Sequence, residues 1–307
     1  MASIREPSMD NKFIIHLGGG ASAGVYSAGV LTGLHNLSLA SNVEAIYTVS
    51  VGAINAAYFL SGQVELGPTI YWENLQRGFI FPKNILFGTM DLFVNRFVKK
   101  LETDEVRHVV DIDHIMQVIS EVKPLNCGAI LANPTDLFMK VLNTRTGQLR
   151  YLKFRDFPTF NLIKAAICIN PYYFGSVMID GDYYIDGTVQ EPLGISYLLE
   201  RYPGRKIIVV SNEPIERGFK YSIKNITEGA VGSLYPYKIS LFKLFIRREQ
   251  LLRANIKLCL DNKNVLLLHP DFSNRALSRT TSPAILKETF YRGISDSEKV
   301  RIFLDGE

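Results

Sequence analysis

Cysteine is scarce in this chain of 307 residues: Cys127, Cys168 and Cys259 stand far apart and are odd in number. Such a set fits neither a disulfide framework nor a zinc site, so no metal is expected and a reducing, cytoplasmic setting is. No apolar run approaches the ~18 residues of a membrane span. The opening Met1-Ala2-Ser3-Ile4-Arg5-Glu6-Pro7 lacks an apolar h-region. No cleavable signal peptide is therefore expected, which leaves export by another route open. An excess of one charge sign is lacking too. Lys and Arg number 34 against 30 Asp and Glu, a net charge of +4. That balance calls for no nucleic acid partner, yet it permits peripheral contact with an anionic membrane surface. Repeats and low-complexity tracts are absent.

What is present is an ordinary globular composition, 47% hydrophobic and 21% charged. The length can bury one large core or two smaller ones. Residues 1–12 read as a flexible polar leader. Phe13-Ile14-Ile15-His16-Leu17 reads as a buried strand, with a helical pattern after it through Val25, Val30, Leu31 and Leu34. Ala45 to Val49 reads as a second strand, again followed by a helix. Helices are expected over Glu65–Gln76, Asp91–Lys100 and Asp111–Ile119, with a break at Pro82. Strands follow at Cys127–Leu131 and Leu137–Asn143, the latter in a hairpin with Leu149–Leu152. Asn161–Ile169 reads as an apolar helix closed by Asn170-Pro171. A second hairpin spans Ser176–Ile185 and ends at Asp186-Gly187. A helix at 194–201, a strand at Lys206–Val210, a long basic helix at Ile239–Leu260 and a strand at Val265–Leu268 come next. A last helix, Ala284–Leu304, is expected to break at Gly293. Strands alternating with helices, with no dividing linker, favour one three-layer α/β/α domain over residues 13–307, built on a mainly parallel central sheet.

Between the second strand and its helix lies Thr48-Val49-Ser50-Val51-Gly52. On so sharp a strand-to-helix turn a serine hydroxyl stands clear of the backbone, and the next N–H, that of Val51, points at a substrate oxygen. Small residues two before and two after the serine normally relieve the crowding. Gly52 fills the second slot, but Thr48 occupies the first. Taken alone, the stretch also suits a helix N-cap. The run Gly18-Gly19-Gly20-Ala21-Ser22-Ala23-Gly24 lies between a strand and a helix, where bare N–H groups make an anion site. A tight turn using glycine for φ > 0 is the alternative. Its G-x-G-x-x-x-G spacing is one residue too long for a dinucleotide fingerprint, and no P-loop lysine follows. No nucleotide cofactor is expected.

Taken in order, the glycine-rich loop, the serine turn and Asp186-Gly187-Thr188 resemble the patatin-like phospholipase family. The marks of that family are a glycine-rich oxyanion loop ending in Arg/Lys-Gly, a G-x-S-x-G elbow and an Asp-Gly step. The likeness extends to Ala28-Gly29-Val30-Leu31, to Gly52-Ala53-Ile54-Asn55-Ala56 and to the run from Lys164 to Pro171. Around Tyr291-Arg292-Gly293 and Asp296 it is similar to bacterial members, so that it covers roughly residues 13–304. The resemblance implies a patatin-like fold and a serine acyl hydrolase of lipid esters, phospholipids first, needing neither metal nor cofactor. Ser50 would attack the ester carbonyl to give an acyl-enzyme. Asp186, followed by Gly187, would be the general base. The loop Gly18, Gly19, Gly20 and Ala21, with Val51, would supply the oxyanion donors. Two positions depart from the pattern: Thr48 where the family carries glycine, and Ala23 (or Ser22) where it carries a basic residue. They keep open a silent patatin-fold protein that binds lipid or a partner.

Three other features have two readings each. His269 follows Ser50 and Asp186 in the order of a Ser…Asp…His triad, although a histidine hydrogen-bonded at a strand end is the plainer reading; His16 reads as core. Lys243, Arg247, Arg248, Arg253 and Lys257 lie among apolar residues over 238–257. That pattern suits an anionic membrane surface or a helix with its apolar side on the sheet. Phe79, Phe81, Phe87, Phe93 and Phe97 suit an acyl groove or the core.

Overall fold

The computed structural model describes residues 12–75, 79–81, 83–97, 107–215, 219–235, 237–273 and 275–306. The leader up to residue 11, the helix ends at Gln76 and Lys100, the break at Pro82 and the Phe97 side chain lie outside what is described. The chain opens with β1 (Phe13–Leu17), α1 (Val25–Asn36), β2 (Val43–Thr48) and α2 (Gly52–Leu60). Then come α3 (Leu66–Glu73), α4 (Asn84–Phe97), α5 (Ile112–Gln117) and α6 (Cys127–Ala132), before the hairpin β3 (Asp136–Asn143) and β4 (Leu149–Lys153). Next, α7 (Phe160–Ile167) leads into the hairpin β5 (Val177–Ile179) and β6 (Asp182–Asp186). The remainder is α8 (Ile195–Arg201), β7 (Lys206–Val210), α9 (Phe219–Gly232), α10 (Leu241–Asp261), β8 (Val265–Leu268), α11 (Pro283–Asp296) and α12 (Glu298–Asp305).

These eight strands form one sheet in the order β5-β6-β3-β2-β1-β7-β8, with β4 paired to β3 off that path. From β3 across to β8 all pairings are parallel; the hairpin strands run antiparallel. Alternation along β1 shows how the layers arise. Phe13, Ile15 and Leu17 meet side chains of α1, α2, α7 and α11 on one face. Ile14 meets Ile195 and Leu198 of α8 and Leu252 and Cys259 of α10 on the other. With both faces covered, the parallel strands read as nearly continuous apolar runs. This is the expected three-layer α/β/α fold with a mainly parallel sheet.

Several local expectations are corrected. Cys127–Leu131 is helix α6 rather than a strand, because Asn126 Oδ1 caps it by accepting from the Ala129 N–H at 3.0 Å. Helix α4 begins well before Asp91, and α9 is a helix that the sequence does not announce. The long basic helix packs its apolar side inward through Leu241, Phe245 and Leu252, and its Arg248 pairs with Glu228 at 2.5 Å. Among the described phenylalanine side chains of the 79–97 stretch only Phe79 is buried, while Phe81, Phe87 and Phe93 are exposed. Nor does the last helix break at Gly293. There α11 crosses α1 so closely that a Cβ on Gly293 would lie 2.3 Å from the Tyr26 carbonyl oxygen, and one on Gly29 2.1 Å from that of Phe290. The break comes at Ser297, whose hydroxyl donates to the Ile294 carbonyl at 2.6 Å.

In an open helix, Gly293→Ala would add up to about 1 kcal/mol. Here the overpacked seam is expected to lower stability by about 1–3 kcal/mol, read as a lower urea midpoint. A midpoint at or above the wild-type value would show that α1 and α11 part freely.

Candidate active site

Ser50 lies in the left-handed region, at φ 54°, between the end of β2 and the start of α2. A non-glycine residue holds that conformation only where its surroundings enforce it. Gly52 permits the sharp turn, since a Cβ there would come within 2.9 Å of both Cβ and the carbonyl oxygen of Leu17. Gly19 permits the close approach of the glycine loop, where a Cβ would lie 2.9 Å from Ser50 Cβ. Thr48, the departure before the serine, is fully buried, and its hydroxyl donates to the Phe138 carbonyl on β3 at 3.0 Å. Its polar atom is satisfied away from the turn.

The glycine loop is oriented by a residue with no sequence signal beyond its place after β7. Asn212 Nδ2 donates to the carbonyls of Gly18 and Gly19 at 2.8 and 3.1 Å, and its Oδ1 accepts from the Ser27 N–H at 3.0 Å. In a trans peptide the N–H points opposite to the C=O. Holding those two carbonyls therefore turns the N–H groups of Gly19 and Gly20 the other way. Together with the N–H groups of Ala21 and Val51 they have no acceptor among the described residues. Gly18 differs from expectation: its N–H is taken by the Val210 carbonyl at 2.9 Å.

Register brings Asp186 to the same level. Thr48 pairs with Met139 of β3, and Asp186 with Val141. The backbones at Ser50 and Asp186 thus stand roughly level, two strand spacings or about 10 Å apart along the sheet. Asp186 is fully buried, and its Oδ1 accepts from the Thr188 N–H at 2.8 Å. Its Oδ2 has no hydrogen-bond partner among the described residues. The Ser50 hydroxyl is near enough to favour the ionised carboxylate, but no hydrogen bond of ordinary geometry joins them. Burial dominates and raises the carboxyl to about 6, against smaller opposing effects of Thr188, Ser50 and Lys140.

Lys140, on β3 between the two, is fully buried. Its Nζ donates to Glu191 Oε2 at 2.8 Å and to the Glu191 carbonyl at 3.2 Å, clamping the turn that follows Asp186. Burial lowers its pKa, while Glu191 and Asp186 pull it back up.

A cavity of about 480 Å³ opens over Ser50, walled by Gly19, Ala21, Thr188, Tyr172 and Arg279. An apolar cavity of about 50 Å³ also touches Ser50, between Ile70, Leu75, Phe79 and Ile112. Among the described residues no histidine lines either one. His269 follows β8, three strands from β2 and on the side away from Asp186; its Nδ1 has no hydrogen-bond partner among the described residues. His16 is buried in the sheet, held neutral by burial and then by Lys140, with its pKa lowered to about 3.

A mainly parallel α/β sheet with a strained serine at the carboxyl end of one strand defines a class of α/β proteins. Within it, this chain belongs to the patatin-like phospholipase family, whose model matches residues 15–199. The match ends earlier than the likeness expected over residues 13–304. Solved structures similar to the chain include VipD from Legionella pneumophila, at 12% identity and a TM-score of 0.49, covering 96% of this chain and 67% of that one. The type III effector protein ExoU is similar at 12% identity and a TM-score of 0.38, covering 95% of this chain and 53% of that one. The chain thus spans about two thirds of the first and about half of the second. No match was found among curated protein sequences.

Lys140→Met would strand Glu191 in the interior without its cation. A loss of about 3 kcal/mol is expected, with Lys140→Met/Glu191→Leu recovering most of it. Guanidinium denaturation of the three proteins checks this; a double variant no more stable than the single one would mean that the ion pair is not the clamp.

Proposed function

We propose that this chain is a serine acyl hydrolase of lipid esters, phospholipids first, working through Ser50 and Asp186. Membership of the patatin-like phospholipase family supports lipid acyl hydrolysis. One observation carries the pairing: a serine strained into the left-handed region lines a cavity whose described wall has no histidine, and behind it lies a buried carboxylate with one unpartnered oxygen, its ionised form favoured by the Ser50 hydroxyl. Ser50 Oγ attacks the ester carbonyl carbon while its proton passes to Asp186 Oδ2. The N–H groups of Gly19, Gly20, Ala21 and Val51 hold the oxyanion, each such donor supplying about 2.7–4 kcal/mol. Collapse expels the alcohol, which takes the proton from Asp186, and water then repeats the cycle on the acyl-enzyme. Burial helps the base. A carboxyl near 6 accepts a proton more readily at neutral pH than an ordinary aspartate at about 3.9.

The phospholipid preference rests on charge. Lys224 and Arg248 at the cavity are both paired with Glu228. Arg279 in the same wall has no carboxylate partner among the described residues and suits a phosphate-bearing leaving group. The open contact between Ser50 and Asp186 is what favours a silent scaffold as the second reading, although such contacts tighten when substrate binds.

A fluorophosphonate probe is expected to label Ser50 in the intact protein, located by peptide mass spectrometry; no label on Ser50 while a control serine hydrolase reacts would favour the scaffold. Asp186→Asn should lower kcat/KM roughly 10²–10⁴-fold, and His269→Ala should leave most of it. A folded His269→Ala protein without turnover would instead point to a triad.

The pH dependences of activity and stability should oppose one another. The active form is the ionised one, so kcat/KM should fall as pH drops through about 6. Between about 6 and the ordinary aspartate value of about 3.9 the folded state binds the Asp186 proton more tightly than the unfolded state does. The contribution of this group to stability therefore rises as pH falls through that window. Denaturation midpoints of wild type and Asp186→Asn across the window, beside the rate profile, test both signs. An activity limb near 4 would refute the raised carboxyl.

A further inference from the structure

Helix α4 is amphipathic with its apolar face turned outward. Leu86, Phe87, Met90, Phe93 and Val94 recur at i, i+1, i+4, i+7 and i+8, one face of a helix. All five are exposed, Leu86 by 65% and Met90 by 55%. The opposite side packs inward through Gly88 and Leu92, the latter in a cluster with Phe174, Tyr235 and Phe245. Exposed apolar faces of this extent mark interaction surfaces.

The same layer continues the pattern. Leu92 of α4 shares its cluster with Leu241 and Phe245 of α10, and Arg248 of α10 holds Glu228 of α9. From these neighbours Ile223 and Ile226 of α9, and Phe242 and Ile246 of α10, are exposed as well. Ile223 also lines the cavity over Ser50, so the apolar surface reaches the entrance to the site. Charge settles the kind of partner. Asp91, Glu228 and Glu249, the carboxylates of these helices apart from Asp261 at the far end of α10, are each ion-paired. Lys83, before α4, and Lys243 and Arg247, one step round the helix from Phe242 and Ile246, are exposed and have no carboxylate partner among the described residues. Apolar side chains edged by unpaired cations fit the headgroup and acyl boundary of an anionic bilayer. No helix among the described residues is long and apolar enough to cross a membrane, so the fit is to lying on the surface.

We propose that α4, flanked by the exposed edges of α9 and α10, docks on an anionic lipid bilayer and brings the Ser50 cavity against it. The proposal rests on the lipid-ester reading for its purpose, and its test separates the two. The full chain should cosediment with vesicles of equimolar phosphatidylcholine and phosphatidylglycerol, less with phosphatidylcholine alone, and less as salt is raised. Leu86→Gln/Met90→Gln keeps good helix formers and should weaken vesicle binding about tenfold. Lys243→Gln/Arg247→Gln should remove the preference for phosphatidylglycerol. Both variants should hydrolyse a water-soluble short-chain ester as wild type does. Vesicle binding without ester hydrolysis would support the docking face and defeat only the hydrolase reading. Ester hydrolysis without vesicle binding, or a Leu86→Gln/Met90→Gln protein that sediments as wild type does, would overturn the docking face. So would a dimer in size-exclusion chromatography that this variant dissociates while its vesicle binding is unchanged, since the face would then cover a second copy.

Discussion

The left-handed backbone at Ser50 is the constraint on which the surrounding structure depends. That conformation costs about 1–3 kcal/mol for a residue with a Cβ, and the packing around it pays. Two glycines let Leu17 and the loop crowd in from either side of the turn. Asn55, one turn into α2, donates to the Gly24 carbonyl at 2.8 Å and to Ser27 Oγ at 2.9 Å, tying the serine helix to the loop helix. Because β1 and β2 are parallel neighbours, the starts of α1 and α2 fall at the same edge of the sheet. A serine hydroxyl and a row of unused N–H groups meet there because two successive βα units end side by side.

Electrostatics on the next strands follow from burial rather than from contact. Asp186, Lys140 and Glu191 put two carboxylates and one ammonium into the same layer, with Lys140 shared between them. An ammonium that also serves Glu191 cannot fully offset the desolvation of Asp186. The carboxyl therefore stays above its ordinary value but does not lose its charge at neutral pH. That raised value removes a distinction the sequence suggests. An acid limb near 6 no longer separates an aspartate base from a histidine with a reference pKa of about 6.5, so only substitution can separate them.

How much was legible depended on the range of each interaction. The first two strands, the serine turn, both hairpins and the Asp186-Gly187 step were readable because each is specified within a few neighbouring residues. The role of Asn212 was not, since its bonds to the loop join residues 194 and 193 positions apart. Lys140 looks like an interruption of an apolar strand until Glu191 is placed beside it. The strand expected at Cys127 was lost to a single side-chain cap at Asn126. Phenylalanine spacing near residue 90 identified a helical face but not its direction, because periodicity records that a face is apolar and not what it faces.

The position of Asn212 and β7, beyond the stretch matched by the family model, has a consequence for the order in which the protein is made. Strand β1 is central only because β7 lies against it; before β7 exists, β1 is an open sheet edge. A ribosome adding about 5–20 residues per second delivers Ser50 and Asp186 before the asparagine that aims the loop, and some seconds before α11 seats against α1. The nascent chain thus carries its serine and its aspartate for a time on an unfinished sheet. Its last third, which holds that asparagine, decides when the glycine loop beside them is set in place.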